Sequence, residues 1–249
     1  MAAGPPDGAA KGTGLPDTDP LILALDSAGS ACSVVIAAGA EPLALRHMEM
    51  LHGQAEALLP MVDAAMREAG LAPAAIDCVA VTTGPGSFTG IRVGIAAARG
   101  IALARDLPLV GVTSFIAAAA TAVAPADAVL LVALESRRAD FYVQLFDRAG
   151  LPLREPAAVL PEALVAAVDL AAVGRPLTIV GDAAVRAAGV LGARTGLAVL
   201  ENAPPPVVGL AAAALRRWRD GERDGPVAPL YLRPPNVTLA AAPRMPARR

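Results

Sequence analysis

LILALDSAGSACSVVI (Leu21–Ile36) and LLVALESRRADFYVQL (Leu130–Leu145) decide the fold. Each is an apolar run that ends on an acidic residue, turns through small or polar residues and returns as a second apolar run. Set one on the other, Asp26 meets Glu135, Ser27 meets Ser136 and Val34 meets Val143. Short apolar runs bounded by turn residues read as strands, so each stretch is a β-hairpin with a carboxylate at the end of its first strand. A second echo lies downstream, where LTIVGDAA (Leu177–Ala184) repeats the strand and glycine turn at Val79–Gly84. Two matches in the same order point to an internal duplication.

Working outward, the first half reads as strands at Leu21–Leu25, Cys32–Ala37 and Leu43–Met50, followed by a helix over His52–Ala69. On that helix Ala55, Leu58 or Leu59, Val62, Ala65 or Met66, and Ala69 recur at helical spacing. Pro60 lies inside it and predicts a kink. The unbroken apolar run Ile76–Val81 suits a strand covered on both faces. A helix over Thr89–Arg105 and a strand at Leu109–Val112 complete an α/β unit. Near the end the sequence predicts a helix at Val208–Arg219 and a closing strand at Pro229–Arg233. Two similar lobes, each opening on a hairpin with an acidic residue, suggest the actin-like (sugar kinase, heat-shock ATPase, actin) architecture. The expected division is a disordered tail 1–20, a first lobe 21–112, a second lobe 113–225, a segment 226–238 returning to the first lobe, and a tail 239–249.

Composition narrows the function. The chain has 249 residues, 55% hydrophobic but only 3% aromatic, so its core is aliphatic. A net charge of −2 argues against a domain that grips nucleic acid alone, which carries a basic face. Cys32 and Cys78 lie in strand-like runs and read as buried thiols of a reducing compartment. Residues 1–20 hold no apolar stretch of the kind a signal peptide needs. The expectation is a cytoplasmic protein without a membrane segment.

The chemistry-bearing candidates are few. In an actin-like ATPase the hairpin carboxylates Asp26 and Glu135 would help hold a magnesium nucleotide, although an Asp before a turn is also ordinary turn chemistry. TTGPGSFTGIRVG (Thr82–Gly94) is rich in hydroxyls and glycine but matches neither GxxxxGK[ST] nor GxGxxG. Gly90, Gly94 and Ala98 fall four apart on one helical face and allow a second backbone to approach closely. Ile91 and Ile95 make the same helix apolar around much of its girth, so it is buried on more than one side. One side meets the sheet; the other meets either a helix of this chain or another protein. His47 and His52 do not share a helical face, and no metal-binding cluster or nucleophile triad is in view.

LALDSAGSACSVVI, HGQAEALLPMVDAAMREAGL, GPGSFTGIRVG, LESRRADFYVQLFD and APLYLRPPN together resemble the TsaB (YeaZ) family of bacterial tRNA threonylcarbamoyladenosine biosynthesis proteins. The resemblance runs from about Leu21 to Val237. It implies a non-catalytic scaffold subunit, with no cofactor, that pairs with the paralogue TsaD as a heterodimer. It also implies the ATPase TsaE in the larger complex, tRNA met only through that complex, and a possible homodimer. TsaD carries a metal-binding HxxxH after the strand matching Leu109–Val112; here the same place reads GVTSFIAAA (Gly111–Ala119), without histidine or carboxylate. The family's partner surface is built from its first two helices, which puts Leu58, Met61, Val62, Ala65, Gly90, Ile91, Gly94, Ile95 and Ala98 at the contact. The competing readings are an actin-like ATPase or small-molecule kinase, and a peptidase.

Overall fold

The apolar runs form the strands that their patterns call for. In the computed structural model, which describes residues 19–201, 203, 205–222 and 227–233, the first half gives β1 (Leu21–Asp26), β2 (Ala31–Ala38), β3 (Glu41–Glu49), α1 (Gln54–Glu68), β4 (Cys78–Thr82), α2 (Phe88–Arg105), β5 (Leu109–Val112) and α3 (Ser114–Ala119). The second half gives β6 (Val129–Glu135), β7 (Phe141–Phe146), β8 (Ala157–Val159), α4 (Pro161–Ala172), β9 (Leu177–Val180), α5 (Ala184–Leu191), β10 (Leu197–Val199) and α6 (Pro206–Arg219). The sheets have orders β3-β2-β1-β4-β5 and β8-β7-β6-β9-β10, the same topology twice. In each, the hairpin partners are antiparallel and the inner strands parallel. The duplication expected from the hairpins is therefore present, with one adjustment. Asp26 pairs with Ser33 but Glu135 with Phe141, so the second hairpin is a residue shorter and Val34 corresponds to Tyr142 rather than Val143.

Alternation along the strands sorts the first core into two layers. Leu23, Leu25, Cys32, Val34 and Ile36 face α1 and α2, whereas Ile22, Ala24, Val35 and Ala37 face α6. All of β4 is buried, as a parallel strand between β1 and β5 must be. The Ser87 hydroxyl caps α2 by accepting the Gly90 N–H at 3.2 Å. Helix α1 runs from Gln54 to Glu68 through Pro60.

The lobes exchange their last helices. Helix α6, which the sequence places in the second lobe, packs on β1, β2, β4 and β5, where Val207, Leu210, Ala211, Ala214 and Trp218 bury against the first sheet. Helix α3 packs against β6 and β7 with Phe115 and Ala118. The two cross so closely that a side chain on Gly209 would overlap the Ala117 carbonyl. An amphipathic stripe states that a helix is covered but not by which sheet, hence the correction to the 113–225 division. The closing segment also differs from its expected strand. Residues 227–233 hold no strand; the Leu230 N–H donates to the Thr83 carbonyl at 2.8 Å, and Tyr231 stacks on Phe88 at 5.2 Å. Arg233 then reaches the second lobe and pairs with Asp140 at 2.9 Å.

Of the expected N-terminal tail, residues 1–18 lie outside the described residues, as do 234–238 and the tail 239–249. Asp19 is held by Arg219 at 2.8 Å, and the Pro20 carbonyl accepts the Gly39 N–H at 3.0 Å. Among the described residues no helix is long and apolar enough to cross a membrane.

Candidate functional site

The glycine turn of Thr82–Gly94 is filled by the chain's own first hairpin. The Ser27 hydroxyl donates to the Gly90 carbonyl at 2.8 Å, and the Ser87 N–H donates to the Ala28 carbonyl at 2.7 Å. A side chain on Gly86 would overlap the Ala28 carbonyl, and one on Gly90 the Ser27 carbonyl. A Cβ on Gly94 would sit 2.7 Å from Ser27 Oγ. The small residues are there so that the β1–β2 turn can lie against the start of α2. A phosphate seated on these amides would compete with backbone already in place.

Between the lobes lies a cleft in two parts. The outer part, about 750 Å³, opens between the hairpin turns, the start of α1 and the closing segment, with Arg137, Arg138 and Arg233 on its wall. The inner part, about 280 Å³, reaches Asp26, Ser33, His47, Ser114 and Asp182. The lobes meet across it: the Arg137 guanidinium donates to the Gly29 carbonyl at 3.2 Å, and the Ser30 hydroxyl reaches Asp182 at 3.5 Å. Arg137 holds φ +61, a left-handed conformation that aims its side chain across the gap.

The carboxylates differ in their surroundings. Burial pushes the Asp26 carboxyl above its usual range, opposed by the Thr82 hydroxyl at 2.5 Å and the Ala28 N–H at 3.0 Å, both on Oδ1. Burial likewise raises Asp182, opposed by the Glu135 N–H at 2.8 Å and helped upward by the Glu135 charge. Glu135, the second hairpin carboxylate, takes a bidentate pair from Arg186 at 2.9 and 2.8 Å. Arg186 also stacks on Phe141 at 3.7 Å. The two hairpin acids both line the inner cavity but differ in their partners: Asp26 is half-enclosed beside Thr82, and Glu135 is occupied by a guanidinium. Cys32 is pushed up to about 11 by burial, then by the Asp26 charge. The Ser33 hydroxyl and His47 Nδ1 lie 2.8 Å apart, while His52 lines the outer cleft.

The stripe assigned to a partner is intrachain core. Leu58, Met61, Ala65, Gly90, Ile91, Gly94, Ile95 and Ala98 are all buried against the chain's own sheet and hairpin, and Val62 is half-buried and packs against the same core. The reason is elementary: the most apolar face of a helix on a sheet turns to the sheet. What the two helices present outward includes Leu59, 54% exposed, Leu103, 86% exposed, and the charges of Glu56, Asp63, Arg92 and Arg99.

Known proteins match this geometry. The family profile described as "TsaD: tRNA N6-adenosine threonylcarbamoyltransferase" matches residues 51–223. The tRNA threonylcarbamoyladenosine biosynthesis protein TsaB of Escherichia coli K12 is 35% identical over 129 residues, covering 51% of this chain and 55% of that one. YeaZ from Pseudomonas aeruginosa superimposes with a TM-score of 0.72 at 26% identity, over 86% of this chain and 100% of that one. The chain belongs to the TsaB/YeaZ family. Its match spans about half the length of the curated TsaB relatives in sequence. An ROK hexokinase from Thermus thermophilus, 15% identical with a TM-score of 0.51 over 80% of this chain and 99% of that one, shares the actin-like fold alone.

For this TsaB/YeaZ chain the sequence leaves several site residues unnoticed. Asp182 follows a fully buried strand in LTIVGDAA, and an acid at that glycine turn, after the same strand that carries Gly84 in the first lobe, is the signal that points to the cleft. Arg186 carries no local signal, since its partner is 51 residues away. Thr82 is visible only as one hydroxyl among several.

Proposed function

We propose that this chain is the non-catalytic, dimerising subunit of a complex that makes N6-threonylcarbamoyladenosine in tRNA, pairing with TsaD through the outward faces of α1 and α2. One observation carries the reading. On the stretch where TsaD has its HxxxH, the pair spaced i, i+4 that lines the inner cavity is Ser114 and Ala118. A hydroxyl and a methyl offer neither imidazole nor carboxylate at the positions from which two histidines would reach a shared metal. The neighbouring Thr113 hydroxyl is spent on capping α3, accepting the Ile116 N–H at 3.2 Å. The cleft thus keeps its shape without the donors that would polarise a threonylcarbamoyl group. In this reading TsaE joins the pair, and tRNA is met through the complex.

The partner face differs from the buried stripe. Leu59 and Leu103 stand out from α1 and α2 amid charged neighbours, and apolar anchors within a polar surround are what a protein interface uses. The test is co-purification with TsaD, followed by a reconstituted tRNA modification assay. The chain alone is expected to give no turnover, and to restore turnover when mixed with TsaD and TsaE. Leu59→Glu with Leu103→Glu should leave the thermal midpoint unchanged and abolish both the complex and the restored activity. Modification of tRNA by the purified chain alone, or an unaltered complex with both leucines replaced, would end the proposal.

A further inference from the structure

The ionisable side chains of the inner cavity are mostly acids. Its wall carries the carboxylates of Asp26, Glu135, Asp182 and Glu201, and no Lys or Arg lines it among the described residues. Arg186 pairs with Glu135, Asp26 has His47 as a positive neighbour, and Asp182 and Glu201 have no ion pair among the described residues. On Asp26 both described hydrogen bonds fall on Oδ1, so Oδ2 is left for a guest. Ser114 is only 8% exposed, lines the cavity, and its hydroxyl has no hydrogen-bond partner among the described residues. A buried hydroxyl without a partner costs about 1–3 kcal/mol, so its survival beside a cavity calls for something to complete it. Leu134, Val180, Leu200 and Pro206 add apolar lining.

We propose that this cavity binds a small aliphatic ammonium compound, best a diamine of the size of putrescine. One ammonium donates to Asp26 and Ser114, the carbon chain lies on the leucine and valine wall, and the second ammonium reaches Asp182 or Glu201. Each alternative fits the cavity worse. A nucleoside phosphate would enter a field of its own sign. A divalent ion needs several ligands within one coordination sphere, and among the described residues no three His, Cys, Asp or Glu converge on such a point. Separated carboxylates suit a guest that spans them. The volume of about 280 Å³ is at the small end of ligand sites, too little for a nucleotide and enough for a short diamine. Burial raises both Asp26 and Asp182, and a cation beside them would offset that cost. His47 is the basic group in the lining, close enough to Asp26 to act on its charge, with Nδ1 2.8 Å from the Ser33 hydroxyl.

Isothermal calorimetry on the full chain tests this, with putrescine, butylamine, magnesium chloride and magnesium-ATP as separate titrants. Putrescine should bind saturably at one per chain, and butylamine more weakly. Asp26→Asn should lower the putrescine affinity about tenfold or more, as loss of a hydrogen bond to a charge does. Ser114→Ala should lower it severalfold while leaving the fold intact, because it removes only a hydroxyl that nothing satisfies. Glu155→Gln, on an exposed loop, should change nothing and so controls for cations gathering on an acidic surface. No saturable heat from putrescine, wild-type affinity in both cavity variants, or an equal loss in Glu155→Gln would overturn the proposal. Magnesium alone binding at one per chain and displacing the diamine would overturn it too.

Discussion

Gly90→Ala separates two views of the glycine turn. If Gly90 marked a seam for another protein, an added methyl would spare the isolated chain and weaken only a complex. In the structure the methyl has nowhere to go. It would overlap the Ser27 carbonyl oxygen, and sit 3.1 Å from the Ser27 carbonyl carbon and 3.3 Å from Ser87 Cβ. Those atoms are tied to α2 by the Ser27–Gly90 bond at 2.8 Å, and the adjoining Ala28 carbonyl is tied by the Ser87 N–H at 2.7 Å. Relief requires the hairpin turn and helix to part, against backbone rather than a flexible side chain. Overpacking costs about 1–3 kcal/mol. Two strained or broken hydrogen bonds add about 1–3 kcal/mol. Alanine returns about 1 kcal/mol of helix propensity over glycine. The net is a loss of about 1–5 kcal/mol, or a fall in Tm on the order of 10 °C for a chain of this size. Gly100→Ala on the same helix is the control. Nothing lies within 4 Å of its would-be Cβ, so it should raise stability by up to about 1 kcal/mol. Urea titrations of both variants give the comparison. If Gly90→Ala is as stable as Gly100→Ala, the packing account of this turn is wrong.

Gly209→Ala should likewise destabilise by about 2 kcal/mol or more, since its methyl overlaps the Ala117 carbonyl where α6 crosses α3; an unchanged urea midpoint would contradict this. Burial raises Asp26 above its ordinary value of 3.8, so the folded chain binds that proton more tightly than the unfolded one. Its contribution is fully present below the unfolded pKa and is lost as pH rises through the folded one, so at neutral pH this carboxyl costs stability relative to a group that does not ionise. Asp26→Asn, which keeps an oxygen for Thr82 and Ala28, should therefore raise Tm at neutral pH, with the advantage fading as pH falls toward about 4; a constant advantage at all pH values would refute the assignment. Arg186→Ala removes the pair to Glu135, the bonds to the Ala139 and Asp140 carbonyls at 3.1 Å, and the stack on Phe141. With the ion pair about one-third exposed, the expected loss is about 1–3 kcal/mol in urea, recovered only in part by Arg186→Lys, whose ammonium cannot make the fork.

Local pattern carried much of this architecture. The hairpins, the covered strand at Cys78–Thr82 and the helix up to Arg105 are written in runs and periods that any short window contains. What the windows lack is the identity of the covering element. The stripe Gly90, Gly94, Ala98 says that something comes close; it does not say that the visitor is Ser27, 63 residues away. The same limit misplaced α6, whose buried face fits either sheet by composition. Asp26 and Glu135 were legible as acids at matching hairpin positions. That Arg186 claims one and Thr82 the other depends on contacts between elements, and so lay beyond a reading from the sequence.

The exchanged helices have a consequence for how the chain can be divided. Cutting between α3 and β6 leaves a first fragment whose sheet has lost the Trp218 side of its cover and a second whose last helix has nothing to lie on. Neither piece should hold its shape alone, yet the two expressed together should clasp and refold around the Gly209 crossing. The protein is thus two copies of one motif that can no longer live apart.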